Sequence, residues 1–140
     1  MKKVLLLIVL LLLPLVLLTG CSEEIIKTEY QLNEEAKIDD LVITLTDTSY
    51  NNGVLEAVFK ITNNRKNSVT ISPDVNFKLY DINKVQIPNI YSNDTSIIKK
   101  GETINYTLQY NVTEKSLYEI LFYSGIVENN IKFSITNLNS

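Results

Sequence analysis

Histidine and tryptophan are missing from the 140 residues, and cysteine occurs once. Each absence excludes a class of chemistry. Without histidine, the commonest general base and the commonest transition-metal ligand are both lacking. A lone cysteine closes no internal disulfide and cannot build a multi-cysteine metal cluster. With neither a cysteine pair nor a tryptophan, the antibody-type core, a tryptophan packed on an inter-sheet disulfide, is ruled out. Basic runs are also absent, and 13 basic side chains face 16 acidic ones. That balance offers no electrostatic route to the phosphates of nucleic acid. The length allows one compact domain with a short appendage and no two-domain enzyme.

What is present begins at the N-terminus. Met1-Lys2-Lys3 is basic, Val4 to Leu18 is apolar throughout with Pro14 as its one breaker, and Leu18-Thr19-Gly20-Cys21 follows. A bilayer-spanning helix needs about 20 apolar residues. The apolar region of a secretory signal peptide needs about 7 to 15, which fits this run. Leu18-Thr19-Gly20-Cys21 resembles the lipobox of bacterial lipoproteins: aliphatic, small or hydroxylated, Gly or Ala, then Cys. The resemblance implies a diacylglyceryl group on the Cys21 thiol, and a dedicated signal peptidase that recognises Leu18, Thr19 and Gly20 and cuts before Cys21. Small side chains at 19 and 20 let an extended backbone enter a narrow protease site, and a thiolate is the best available nucleophile for the thioether. At about 0.8 kcal/mol per buried CH₂, two acyl chains contribute on the order of 20 kcal/mol before entropic losses.

The expected organisation is a signal peptide over 1–20, a lipidated tether over 21–29 and a domain over 30–140. The expected location is the cell membrane, facing the extracellular side, or the periplasm where an outer membrane exists. Residues 21–140 carry 11 basic and 16 acidic side chains, a net charge of −5. With no polybasic segment to press it onto anionic lipid, contact with the membrane is expected through the lipid alone. A tether of about eight flexible residues spans roughly 15 Å.

From Tyr30 onward the signal is alternation with a period of two. Leu41, Ile43 and Leu45 form one apolar face, and Leu55, Ala57, Phe59 and Ile61 form another. Ile104, Tyr106, Leu108, Tyr110 and Val112 alternate with Asn105, Thr107, Gln109 and Asn111, and Ile131, Phe133 and Ile135 repeat the pattern. Each reads as a strand with one face inside. Shorter strands are expected at 69–71, 75–80, 85–87, 96–99 and 118–123. Asn51-Asn52-Gly53, Asn63-Asn64, Ser72-Pro73-Asp74, Asp81 to Lys84, Lys100-Gly101-Glu102 and Asn129-Asn130 supply the corners. At most one helical turn is expected, around Thr113 to Leu117. Seven to nine antiparallel strands in about 110 residues predict an all-β, immunoglobulin-like β-sandwich.

Leu55 to Asn64, Phe77-Lys78-Leu79-Tyr80-Asp81, and Ile98 to Glu102 leading into Tyr106 to Val112 resemble the telokin-like, immunoglobulin-like domains of unknown function. These occur in lipoproteins of low-GC Gram-positive bacteria. The resemblance implies a two-sheet sandwich over roughly Tyr30 to Asn137, and brings no catalytic residues with it.

Ser96-Ile97-Ile98-Lys99 matches the S-x-x-K of serine acyl-transfer enzymes, but it falls in an expected strand rather than at a helix start. Asp39, Asp40, Asp74, Asp81 and Asp94 are the carboxylates available for a glycosidase-type pair, and nothing in the sequence brings two together. Asp81 and Asn83 offer hard oxygen ligands for calcium without a full 12-residue calcium loop. No enzymatic activity and no cofactor beyond the covalent lipid are therefore expected. Interaction is the better reading. Pro88 to Asp94 reads as a loop carrying Ile90 and Tyr91, an apolar group beside an aromatic with a polar tip, as in recognition loops. The same two residues also suit packing over the sandwich edge. Tyr106 and Tyr110 face the core, and Tyr118 suits a corner tyrosine. The function expected is a binding module at the cell envelope, with an envelope or extracellular protein as partner. The alternatives are a structural spacer without a dedicated ligand and, less favoured, a small envelope hydrolase.

Overall fold

A computed structural model describes residues 27–138 apart from 93, 114, 127, 128 and 137. The lipobox residues Leu18, Thr19, Gly20 and Cys21 lie outside the described residues, as does most of the expected tether.

Two five-stranded sheets form an all-β sandwich, as the alternation predicts. One sheet runs β2 (Glu35–Ile38), β3 (Leu41–Asn51), β4 (Val54–Asn63), β10 (Thr103–Asn111), β8 (Asn89–Ser92). The other runs β1 (Glu29–Tyr30), β12 (Asn130–Ile135), β11 (Tyr118–Tyr123), β6 (Phe77–Tyr80), β7 (Gln86–Ile87). A small ladder joins β5 (Val69–Ile71) to β9 (Ser96–Ile98). The strands are antiparallel except for β1, which lies parallel to β12.

Alternation places the core where period two requires. Leu41, Ile43 and Leu45 on β3, Leu55, Ala57, Phe59 and Ile61 on β4, and Tyr106, Leu108 and Tyr110 on β10 are all buried. Facing them from the second sheet are Phe77, Leu79, Ile120, Phe122, Ile131, Phe133 and Ile135. Aromatic rings stitch the two layers: Phe59 lies 5.1 Å from Phe77 and 5.2 Å from Phe133, while Phe77 stacks on Tyr106 at 5.5 Å. Edge-to-face and offset arrangements of this kind add to the gain from burial alone.

Twelve strands appear among the described residues against the seven to nine expected, because the edges are cut into short pieces where the chain changes sheets. The β1-to-β2 and β7-to-β8 connections each pass from one sheet to the other, and Pro88 interrupts the second. Pro73–Asn76 form a single helical turn, α1, in place of the strand expected from Val75. Pro73 at its start brings a φ already set for the helix, and Asp74 lies in the first turn. Asn76 is buried: its Oδ1 accepts from the Ser72 amide and its Nδ2 donates to the Tyr123 carbonyl. The helical turn expected around Thr113 to Leu117 is not found in its described residues. There the Val112 amide donates to the Gly53 carbonyl, which holds the end of β10 extended.

The turns sort to two ends of the sandwich. At one end are the β2–β3 turn, the segment after β4, the β9–β10 turn and the residues following β11. Their ties are the Asn64 amide to the Asp40 carbonyl, the Gly101 amide to the Asn63 carbonyl, and Arg65 to both Asp39 and Ser124. This is the Arg65 end. At the other, the Gly53 end, the β3–β4 turn meets the end of β10, and Ile82, Leu117 and Leu138 border one hollow of about 400 Å³.

Candidate functional site

β8 is the last strand of its sheet. It pairs on one side with β10, Ser92 opposite Leu108 and Tyr91 opposite Gln109, with a register shift between Gln109 and Tyr110. Among the described residues, no strand pairs with its other side. The segment expected as a loop is therefore an edge strand. Its signal was hidden because the register shift breaks the alternation that marks the other strands. Ile90 and Tyr91 are 49% and 54% exposed, so neither is packed away as cover for the core. Residues 85–93 contain no charged side chain. An edge strand presents unpaired backbone N–H and C=O groups, and proteins that avoid pairing there commonly place Lys or another charge on it. β8 has no such guard. Its chemistry suits an extended polypeptide that adds as a further strand, with backbone hydrogen bonds supplying affinity and Ile90 and Tyr91 supplying apolar contact.

Of the carboxylates picked out in the sequence, Asp39 and Asp81 are engaged in hydrogen bonds that hold turns. Asp39 and Asp40 both have positive φ, 47° and 59°, and form the two-residue turn between Ile38 and Leu41, the geometry of a type I′ hairpin. Asn52 and Gly53 make a second such turn at φ 50° and 82°. The Asp39 carboxylate accepts from the Ser124 hydroxyl. Asp81 Oδ1 accepts from the amides of Asn83 (2.9 Å) and Val85 (2.8 Å), so the pair expected to offer calcium ligands is closing a turn. Asp74 lies on α1 and Asp94 beyond β8. Ser96 and Lys99 are not brought into a helix start: Ser96 opens β9 and its hydroxyl donates to the Asp94 carbonyl (3.0 Å), whereas Lys99 is in the following turn. No group of three or more acidic or cysteine side chains able to hold a metal occurs among the described residues.

Two buried tyrosines sit on the strand beside β8. Burial pushes the Tyr106 phenol up to about 12, and its hydroxyl is 3.5 Å from the Asp94 carbonyl. Burial raises the Tyr110 phenol further, and its hydroxyl has no hydrogen-bond partner among the described residues. Tyr118 is buried at the first position of β11.

The sequence matches no protein-family model and no curated protein. Solved structures do match. The chain superposes on yjhA from Bacillus subtilis at a TM-score of 0.63 and 12% identity, over 79% of this chain and 99% of that one. A "putative lipoprotein", ycdA, from the same organism matches at 0.61 and 17%, over 79% of this chain and 38% of ycdA. An uncharacterised β-sandwich protein from Clostridium difficile gives 0.56 and 13%, over 79% and 95%. What they share is the fold. The chain spans about two fifths of the length of ycdA, and at these identities the likeness extends to architecture alone.

Two features outside β8 were not legible in the sequence. Arg65 Nε donates to the Asp39 carbonyl (2.7 Å) and its Nη2 to the Ser124 carbonyl (3.1 Å), tying the turns of the two sheets together. On the second sheet Lys132 bridges Glu29 (3.0 Å) and Glu119 (3.3 Å), and Lys84 also pairs with Glu119. The Ser134 hydroxyl and then Lys132 hold the Glu29 carboxyl below its usual range, Lys84 and then Lys132 do so for Glu119, and Glu29 and then Glu119 raise Lys132.

Proposed function

We propose that the mature chain is a lipoprotein anchored through Cys21 on the outer side of the cytoplasmic membrane, and that its sandwich binds an extended segment of an envelope or extracellular protein along β8. Support for the anchor comes from the lipobox and the apolar run before it. The fold is shared with a protein described as a putative lipoprotein and, at a TM-score of 0.54, with the secreted Mycobacterium tuberculosis protein MPT63. The resemblance to telokin-like lipoprotein domains points the same way.

The observation that carries the binding role is the uncharged edge strand with Ile90 and Tyr91 in solvent. The domain is read as a binding module rather than an enzyme, since the Ser96 hydroxyl and the Asp39 and Asp81 carboxylates that stood as candidates are engaged in structural hydrogen bonds. Photo-crosslinking in living cells tests it, with the crosslinkable residue at Tyr91 and a control at Lys60, exposed on the outer face of β4. A discrete partner captured from Tyr91 and not from Lys60 is the expected result. Equal or absent capture at both would favour a spacer role instead.

A further inference from the structure

The sequence shows no basic run, yet the fold gathers basic residues from distant positions at one end. Lys37 lies on β2 beside the Asp39-Asp40 turn, Arg65 and Lys66 follow β4, and Lys99 and Lys100 open the β9–β10 turn. Asp39, Asp40, Arg65, Lys66 and Ile126 border a single hollow of about 510 Å³. Acidic groups are present at this end too, but three of the four described carboxylates are already engaged, and Glu35 pairs with Lys37 at 3.6 Å. Asp39 accepts from Ser124, and Glu102 accepts from the Lys99 amide at 2.8 Å. Lys66, Lys99 and Lys100 form no ion pair among the described residues. On the border of the hollow that Lys66 also lines, Ile126 is 57% exposed.

The direction of the chain at β1 says where this end points. β1 runs parallel to β12, with Glu29 opposite Lys132 and Tyr30 opposite Phe133, and the Lys132 amide donates to the Thr28 carbonyl. Traced backwards, the chain at Lys27 heads toward the Asn130 end of β12, which pairs with Tyr123 just before Ser124. That is the Arg65 end. Cys21 precedes Lys27 by six residues, a reach of at most about 21 Å fully extended and roughly 14 Å as a flexible coil. Ser124 follows directly on the Tyr123–Asn130 pair toward which the chain heads, so a connection this short keeps the Arg65 end within reach of the headgroups.

We infer that the Arg65 end of the sandwich lies against the membrane, with Lys66, Lys99 and Lys100 facing anionic lipid headgroups and Ile126 at the boundary, and that the Gly53 end faces outward. This rests on lipidation at Cys21 and adds an orientation that the anchor alone does not give. The attraction acts within about a Debye length, 8 to 10 Å at ordinary ionic strength, so it requires the closeness that the tether enforces. The net charge of the whole domain opposes it, which makes the spatial sorting of charge the deciding feature.

The test uses the acylated protein, whose Cys21 sulfur is blocked as a thioether, in vesicles of phosphatidylglycerol and phosphatidylcholine. An environment-sensitive fluorophore is attached at Ile126→Cys or, as the control, at Leu117→Cys, which is exposed at the Gly53 end. Quenching by headgroup-labelled lipid is expected to be at least threefold stronger at 126 than at 117. It should fall toward the control in Lys99→Glu/Lys100→Glu, or when phosphatidylcholine is the sole lipid. Co-flotation of each variant with vesicles is read in parallel. Protein that floats but is quenched equally at 126 and 117, or at neither, overturns the orientation while leaving the anchor standing. Strong quenching at 126 that ignores both lipid charge and the double substitution overturns the part played by the lysines. Protein that carries no acyl group and does not float overturns the anchor, and the orientation falls with it.

Discussion

Tyr110 shows how one atom sets a stability prediction. It is 1% exposed and its hydroxyl has no hydrogen-bond partner among the described residues, and a buried polar group left unpaired costs about 1–3 kcal/mol. Tyr110→Phe should therefore raise stability by about 1 kcal/mol, read as a higher urea midpoint at unchanged slope; a lower midpoint would mean that the hydroxyl is satisfied in solution. The same burial disfavours the phenolate at Tyr106 and Tyr110. Because the folded state holds these protons above the ordinary value of 10.0, the stability they support is complete below pH 10 and drains away as pH rises toward and past 12. An alkaline titration followed by tyrosine absorbance should show this group ionising together with unfolding. Arg65 makes the contrasting case. Its guanidinium joins Asp39 and Ser124 across the two sheets, and Arg65→Ala should cost roughly 2 kcal/mol; a loss below a few tenths would leave that end to its backbone bonds and the Ser124–Asp39 contact. The tyrosines' burial was legible from period two. The Arg65 contacts were not, since they join residues 26 and 59 positions apart and no local pattern encodes them.

Among the elements, β1 depends most on charge. It offers two residues of parallel pairing, and the Glu29–Lys132–Glu119–Lys84 chain reinforces it. Glu29 and Glu119 sit below 4.5 in the fold, so their contribution is present above pH 4.5 and is lost as pH falls through the lowered values. Lys132 is raised above 10.5, so its contribution is complete below pH 10.5 and is lost as pH climbs past that. The Tyr30 amide, corrected for intrinsic exchange rates, should lose protection between pH 5 and pH 3 while β4 stays protected. In Lys132→Gln the protection should already be low at pH 6, and wild-type protection that is flat with pH would remove the charges from the account. Because Lys27, Thr28 and Glu29 contact the sandwich, the connection to Cys21 is shorter than the 21–29 tether read from the sequence. Element identities were legible where alternation was long, as on β3, β4 and β10. Short elements are not legible in this way: Ser72-Pro73-Asp74 suits a turn as well as the helix start of α1, and the bulged register of β8 leaves no alternating pattern to set it apart from a loop.

At the scale of the whole molecule, the fold class followed from strand patterning and the absence of helical periodicity, whereas the sorting of turns between two ends appears once the topology is known. The proposed orientation of the Arg65 end rests on that sorting. β8 passes between the two ends along one side of the sandwich, so a partner segment could add to its edge without displacing either. Acylation of Cys21 underlies both the proposed anchor and the orientation, and intact mass spectrometry of the protein purified from its own cells, beside Cys21→Ala, tests it most directly. The predicted result is a mature chain that begins at Cys21 and carries at least two acyl chains, with the variant unacylated and still holding residues 1–20. A wild-type chain without acyl groups, or one cut elsewhere, would contradict the account.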